Sequence, residues 1–234
     1  MKKIIGFSRN LKIHWLNKIV ELVSEFTDQD VIKRKLNEYL SYEIKSETNL
    51  RKTREILLNI WSYKNDIIEN KQEVLDLMKK HPECSIAINY AMILCTYPVF
   101  YDICSIIGRN SDFKEEITLN QLKSKLYDEW GERTTIYHST DKIIATLKEL
   151  NIISAKKPGQ YLINKAQISN QEVINFLIMV SLKLGGSQNY FSLKNISELP
   201  ILFPFEFKIC EKTISEDKKF TLNTFGNNVS LTLK

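Results

Sequence analysis

Through most of this chain apolar residues recur every third or fourth position, a spacing that predicts helices. Leu11, Trp15, Ile19, Leu22, Val23 and Phe26 form the first stripe. Thr27-Asp28 then supplies a stop and the cap of a second helix, which carries Val31, Ile32, Leu36 and Leu40. From about Thr48 a third helix puts Leu50, Thr53, Leu57, Ile60 and Trp61 on one face and Arg51, Lys52, Arg54 and Asn59 on the other. A helix around 73–80 ends before His81-Pro82, and Pro82 opens the next one, "ECSIAINYAMILCT". Short links favour antiparallel neighbours, so residues 1–96 are expected to form a helical bundle.

The stretch "IAINYAMILCTYPVFYDICSII" carries Asp102 as its single charge and invites a membrane reading. Pro98 divides it, and Asn89, Tyr90, Thr96, Tyr97 and Tyr101 would all need partners in hydrocarbon. Two buried helices meeting at Tyr97-Pro98 are therefore expected, and no membrane.

After Pro98 the pattern changes. "VFYDICSIIG" predicts a short helix stopped at Gly108, and "RNSDFKEE" a polar loop. Ile117 is briefly extended, with a cap at Thr118 or Asn120. A helix follows that turns Leu119, Leu122 and Leu126 inward and stops at Gly131. "ERTTIYHSTDKIIATLKEL" places Ile136, Ile143, Leu147 and Leu150 on one side of a third helix. "NIISAKKPGQYLIN" is two strands about the turn Lys156-Lys157-Pro158-Gly159. Helix, short strand, helix, turn, helix and a basic-tipped ribbon are the order of a winged helix domain, expected over residues 97–166. In that arrangement the third helix lies in the DNA major groove and the ribbon touches the backbone beside it. Many such folds nonetheless bind only proteins.

Beyond Lys165, "QEVINFLIMVSLKLGG" reads as one more apolar helix closed by Gly185-Gly186. From "FPFEFKIC" onward the residues alternate, predicting two or three antiparallel strands with turns at Ser215-Glu216-Asp217 and Gly226-Asn227-Asn228. This last part, within 167–234, serves either to dock a partner or to complete the core. The expected fold class is thus mainly α, an N-terminal helical bundle plus a winged helix-turn-helix domain, with a small antiparallel β appendage at the C-terminus.

Composition agrees with that class: 43% hydrophobic and 26% charged residues exclude disorder, and only 7 Gly and 5 Pro favour helix. The net charge of +5 matters through its placement. Residues 1–54 hold twelve Lys/Arg against seven Asp/Glu, and the rest of the chain is balanced. Lys33, Arg34, Lys35, Lys45, Arg51, Lys52 and Arg54 are the candidates for gripping phosphates, with a solvated face of intrahelical pairs as the rival account. On the third winged helix Thr134, His138, Asp141, Lys142 and Ala145 face away from the apolar stripe. Arg133, Thr135, Tyr137 and Ser139 lie near its start, and Arg133 is the guanidinium able to grip a guanine edge. Lys156 and Lys157 tip the ribbon. Residues 109–160 carry nine Lys/Arg and eight Asp/Glu, so this module alone should hold DNA weakly.

No chemistry declares itself. P-loop, GxGxxG, HExxH and GxSxG patterns are missing, and His14, His81 and His138 sit in separate elements. The paired carboxylates Glu115-Glu116, Asp128-Glu129 and Glu216-Asp217 fall in loops or at helix ends. Cys84, Cys95, Cys104 and Cys210 form no CxxC pair and read as small buried hydrophobes of a reducing compartment. "MKKIIGFSRN" has no apolar run of signal-peptide length, so a cytoplasmic location without cofactor or metal is expected.

Three segments carry a resemblance. "NEYLSYEIKSETNLRKTREILLNIW" (37–61), "CTYPVFYDICSIIG" (95–108) and "STDKIIATLKELNIIS" (139–154) resemble, in order and spacing, the BrxA family of BREX bacteriophage-exclusion systems. That family has a helical N-terminal part, a Tyr-Pro-led helix and a Thr-x-Lys helix with a Leu-x-x-x-x-Ile/Leu stop; the resemblance spans about residues 10–165. It implies a small non-enzymatic DNA-binding accessory protein acting with methyltransferase, ATPase and phosphatase-like partners of a phage-defence system. The tail after about Tyr190 departs from the family pattern, which leaves the choice of protein partners open. Residues and resemblance together predict binding to double-stranded DNA mainly through its backbone. A protein-protein adaptor with a structural winged helix, or a sequence-specific regulator, are the alternatives. Homodimerisation stays open, with no heptad seam to declare it.

Overall fold

Polar caps start the second and third helices. The computed structural model describes residues 6–111, 116–185, 190–225 and 228–234. In it α1 (Ile13–Glu25), α2 (Gln29–Ser41) and α3 (Glu47–Trp61) pack on one another. The Asp28 carboxylate accepts the Asp30 amide at 2.8 Å and Ser46 Oγ accepts the Asn49 amide at 3.4 Å, satisfying first-turn donors of α2 and α3. Leu11 and Phe26 pack beside α1 but lie outside it in extended chain.

Glu43, in the α2–α3 connection, ties this loop back to α1. Its carboxylate meets Lys12 Nζ at 2.5 Å and His14 Nε2 at 2.6 Å, and accepts the Trp15 indole N–H at 3.0 Å. The hydrogen bond from Lys12, then that from His14, hold the Glu43 carboxyl down to about 2. A carboxyl depressed in the folded state stabilises the fold above its unfolded value near 4.5, and that stabilisation drains away as the pH falls toward 2. The side chain is 37% exposed, so solvent screening leaves about 1 kcal/mol. Glu43→Gln is therefore expected to melt a few degrees lower than the parent at pH 7, and thermal melts should show the gap narrowing below pH 4.5 and closing as the pH nears 2. A gap that is as wide near pH 2 as at pH 7 would assign Glu43 a role other than this charge cluster.

α4 (Lys71–Lys80) and a 3-10 turn at Pro82–Cys84 lead to α5 (Ser85–Thr96), which has no polar face: Ala87 to Leu94 are all buried. α5 is the axis of the molecule, with α1, α3, α6 and α9 around it. α6 (Pro98–Ser111) leaves it at a 118° break, so the apolar stretch is two buried helices joined at Tyr97-Pro98. No single helix among the described residues is long and apolar enough to cross a membrane.

Gly108 does not stop α6, which runs on to Ser111. Its lack of a side chain lets the helix touch the backbone of Pro200. The expected loop at 109–116 is accordingly helical to Ser111, and its 112–115 part lies outside the described residues.

β1 (Glu116–Thr118), α7 (Leu119–Trp130), α8 (Thr134–Glu149), β2 (Ile153–Lys157) and β3 (Gln160–Ile163) follow. Thr118 is the cap of α7, its hydroxyl accepting the Gln121 amide at 3.3 Å. Gly131 ends α7 at φ 77°, and Gly159 turns the hairpin at φ 74°, conformations that favour glycine. The strands form an antiparallel sheet of order β1-β3-β2, in which Tyr161 faces Ile117 on one side and Ala155 on the other.

The last third holds the largest departures. β4 (Ala166–Gln167) pairs in parallel with β6 (Phe205–Glu206), and α9 (Gln171–Gly185) packs on α5. β5 (Phe191–Ser192), β7 (Phe220–Phe225) and β8 (Asn228–Leu233) make an antiparallel sheet of order β5-β8-β7. Leu193–Glu198 and Pro200–Leu202 form 3-10 turns after β5, and within the stretch expected to alternate from Phe203 onward Glu211–Glu216 forms the short helix α10. Ser215-Glu216-Asp217 is the end of α10, and the centre of the β7–β8 turn, 226–227, lies outside the described residues. Ile201, Leu202, Phe205, Ile214, Phe220 and Leu231 are buried, so the tail completes the core. One continuous apolar cluster runs from Phe7 to Leu231 through all three segments distinguished in the sequence.

Candidate nucleic-acid interface

α8 is amphipathic with a broad buried sector. Ile136, Ser139, Thr140, Ile143, Thr146 and Leu147 point inward, because the helix is covered from more than one side. On one of them the N-terminal strand of chain runs past it, where the Leu11 amide donates to Thr146 Oγ1 at 2.9 Å. Farther along this strap Phe7 sets its ring 5.1 Å from Tyr97 at the α5–α6 elbow. The strap thus fastens α8 to the helical bundle.

Ser139 is consequently no interface residue: it is 5% exposed. Thr134, Thr135, Tyr137 and His138 form the exposed start of α8, preceded by the exposed Arg133 at the cap position. The Tyr137 and His138 rings meet edge to face at 5.6 Å. Lys142 lies half-buried at the margin of this face.

One basic residue that the sequence reading did not single out sits beneath it. Lys123 of α7 is 7% exposed, yet its ammonium lies 2.7 Å from the Asp141 carboxylate and 3.3 Å from the centre of the Tyr137 ring. Tyr137 and Asp141 are one turn apart on α8 and receive the lysine between them. The signal for it was a lysine inside the Leu119, Leu122, Leu126 stripe, where a cation requires a partner.

At the hairpin, Lys156 is ion-paired with Glu116 of β1 across the sheet, whereas Lys157 is exposed at the turn. Lys156 is thereby paired, and Lys157 is the cation the tip presents.

On the N-terminal bundle the seven basic residues separate by their partners. Lys33 lies 3.6 Å from Asp30, Lys35 stands 4.8 Å above the Phe26 ring, and Lys45 donates to the Ser41 carbonyl at the end of α2. Arg54 is held at 2.7 Å by Glu55 and at 3.2 Å by Asn37, and is only 18% exposed. Arg54 is therefore a bridge between α2 and α3, not a free phosphate ligand. Arg34, Arg51 and Lys52 stay exposed. Arg51 and Lys52 line a shallow groove of about 430 Å³ with Gly6, Ser8, Ile56 and Asn59, so the groove runs between α3 and the start of the strap. Arg9, on the strap, reaches Asn49 at 2.5 Å.

No family model, no curated protein and no solved structure matches this chain.

No group of three His, Cys, Asp or Glu side chains suited to a metal occurs among the described residues. Burial pushes the Cys95 thiol up to about 12 and raises Cys84 and Cys104 as well, which leaves them protonated and poorly nucleophilic. His14 is occupied by Glu43, and His81 by Asn170, which lies 2.9 Å from its Nδ1.

A second, larger cleft of about 1050 Å³ lies between α4, α9 and α10. Ion pairs span it: Lys80 with Glu172, Lys183 with Glu69 and Lys219 with Glu73. Both signs of charge line it, and it has no electrostatic preference.

Proposed function

We propose that the chain is a double-stranded DNA-binding protein whose segment 98–163 is a winged helix module. The observation that carries this is the helix–strand–helix–helix–hairpin order closed by a β1-β3-β2 sheet, with the start of α8 and the Lys157 turn exposed. Arg133, Thr134, Thr135, Tyr137 and His138 meet the major groove, Lys142 lies at their margin, and Lys157 meets the backbone beside it. Arg51, Lys52 and Arg34 supply phosphate grip. From Gly6 in the basic groove to Leu11 on α8 the strap is five residues long, a reach of at most about 17 Å. From Thr146 back to Thr134 at its start α8 rises about 18 Å, so the groove and the exposed start of α8 lie within about 35 Å, close to one duplex turn of about 34 Å.

The resemblance to the BrxA family extends the proposal to an accessory role in phage defence, beside other proteins of a defence complex. A protein-docking role is the second reading. The pair Lys156–Glu116 favours it, since it neutralises a hairpin cation where DNA would lie.

Fluorescence anisotropy with unrelated duplexes at several salt concentrations separates the two. DNA binding predicts an affinity that falls steeply with salt. Arg51→Ala with Lys52→Ala should then lower the magnitude of the log-log slope by about 2, on every duplex alike. Absence of binding at low salt favours docking, and a slope untouched by the double substitution removes these two residues from the interface. A regulator that reads sequence would resist displacement by unrelated competitor DNA.

A further inference from the structure

The Lys123, Tyr137, Asp141 cluster has more organisation than packing of α7 against α8 requires. Leu122, Leu126 and Trp130 already join α7 to the core. A leucine or methionine at 123 would continue that stripe without bringing a charge into a nearly dry position. Instead the lysine comes up from beneath, touches Asp141 at 2.7 Å and lies against the Tyr137 ring at 3.3 Å. Tyr137 is 45% exposed, so the ring so gripped is one that solvent, or a ligand, reaches from its other side. Asp141 is the acidic residue on this half of α8, and its side chain is 39% exposed. Left unpaired, its carboxylate would repel phosphates.

We propose that Lys123 is a positioning residue of the α8 face: it cancels Asp141 and fixes the Tyr137 ring, so that α8 meets duplex DNA through hydroxyl and aromatic groups. The proposal rests on the DNA-binding reading above. It names the chemistry of recognition as hydroxyl hydrogen bonds from Thr134 and Thr135 and ring contact from Tyr137, with the thymine methyl as the natural apolar partner. Selectivity would then favour duplexes rich in A·T over G·C duplexes of equal length. Lys123 itself touches no DNA, since the ring and the carboxylate cover it.

The test is duplex binding by anisotropy at fixed low salt, with circular dichroism melts alongside. Lys123→Met should weaken binding about tenfold, because an exposed carboxylate now faces phosphates. Lys123→Met combined with Asp141→Asn should return affinity to within about threefold of the parent, and Lys123→Arg should remain close to it. A purely structural lysine would not give that recovery. Met variants that bind as the parent does, or a double variant as weak as the single one, overturn the proposal. Should Lys123→Met fail to fold, Tyr137→Ala carries the test: undiminished binding, or an unchanged ratio between A·T-rich and G·C duplexes, overturns it. If the unaltered protein binds no duplex, the DNA-binding reading itself falls, an outcome distinct from all of these.

Discussion

Gly108→Ala is expected to destabilise the protein by at least about 3 kcal/mol, enough to unfold a large fraction of it at moderate temperature. Helix propensity alone argues the opposite, since alanine in a helix interior is favoured over glycine by about 1 kcal/mol. Sterics decide the sign. A Cβ at position 108 would lie 1.8 Å from the Pro200 carbonyl oxygen, 2.5 Å from its carbon and 2.8 Å from its Cα. All three are backbone atoms, so no side chain can swing away, and α6 must part from the Pro200–Leu202 turn. That turn is held from the other side: Tyr90, fully buried on α5, donates its hydroxyl to the Ile201 carbonyl at 2.9 Å. Displacing it breaks this bond and loosens Ile201, Leu202 and Phe205 from the core. Urea unfolding followed by circular dichroism measures the loss. Tyr90→Phe, which removes only the hydrogen bond, should cost about 1–2 kcal/mol and so calibrates the larger change. A Gly108→Ala protein within 1 kcal/mol of the parent would mean that this contact yields easily.

Gly108 also illustrates what one-dimensional patterns leave out. A glycine after an apolar helical run is ordinarily a stop, and nothing local distinguishes it from one that permits a close approach 92 positions away. Most of the helices were legible from apolar periodicity, α5 and α9 from apolar runs too long for a strand, and the hairpin because Pro158-Gly159 punctuates two short apolar runs. The tail was legible only where alternation continued into β7 and β8. In "SLKNISELPILFPFEF" prolines remove donors at close intervals, and tight 3-10 turns use the same apolar residues to fill the core. For the candidate interface, residue type suggested the face, whereas pairing decided which members of it remain available. Arg54 looks like its neighbours Arg51 and Lys52 in sequence, but Asn37, 17 residues earlier, captures it. Ser139 was a candidate by its place near the start of α8; the strap over Thr146 and the packing beneath α8 widen the buried sector past the apolar stripe of four residues and take it in.

Asn89→Ala is expected to cost about 3 kcal/mol, for reasons of hydrogen-bond accounting more than volume. Asn89 has no solvent exposure and stands in the middle of α5, where every neighbour from Ala87 to Leu94 is buried. Its carbonyl accepts the Trp61 indole N–H at 3.0 Å, and its amide donates to Asn17 at 3.1 Å and to the Ser85 carbonyl at 3.0 Å. One side chain therefore joins α3, α5 and α1. Truncation leaves the buried indole N–H without an acceptor, a loss of about 1–3 kcal/mol, and adds a small cavity. Asn17 is exposed, so its carbonyl turns to water and Asn17→Ala should cost under about 1 kcal/mol. Trp61→Phe removes the orphaned donor together with its ring nitrogen. In the Asn89→Ala background that second change should then be milder than in the parent, a coupling readable from a double-mutant cycle in urea. Additive costs would show that Asn89 acts through packing alone and that the three helices are not joined by this bond. The same cycle bears on the proposed DNA binding, because α3 carries Arg51 and Lys52. Loss of the Asn89 link should loosen the helix that presents them and weaken duplex binding without touching either cation.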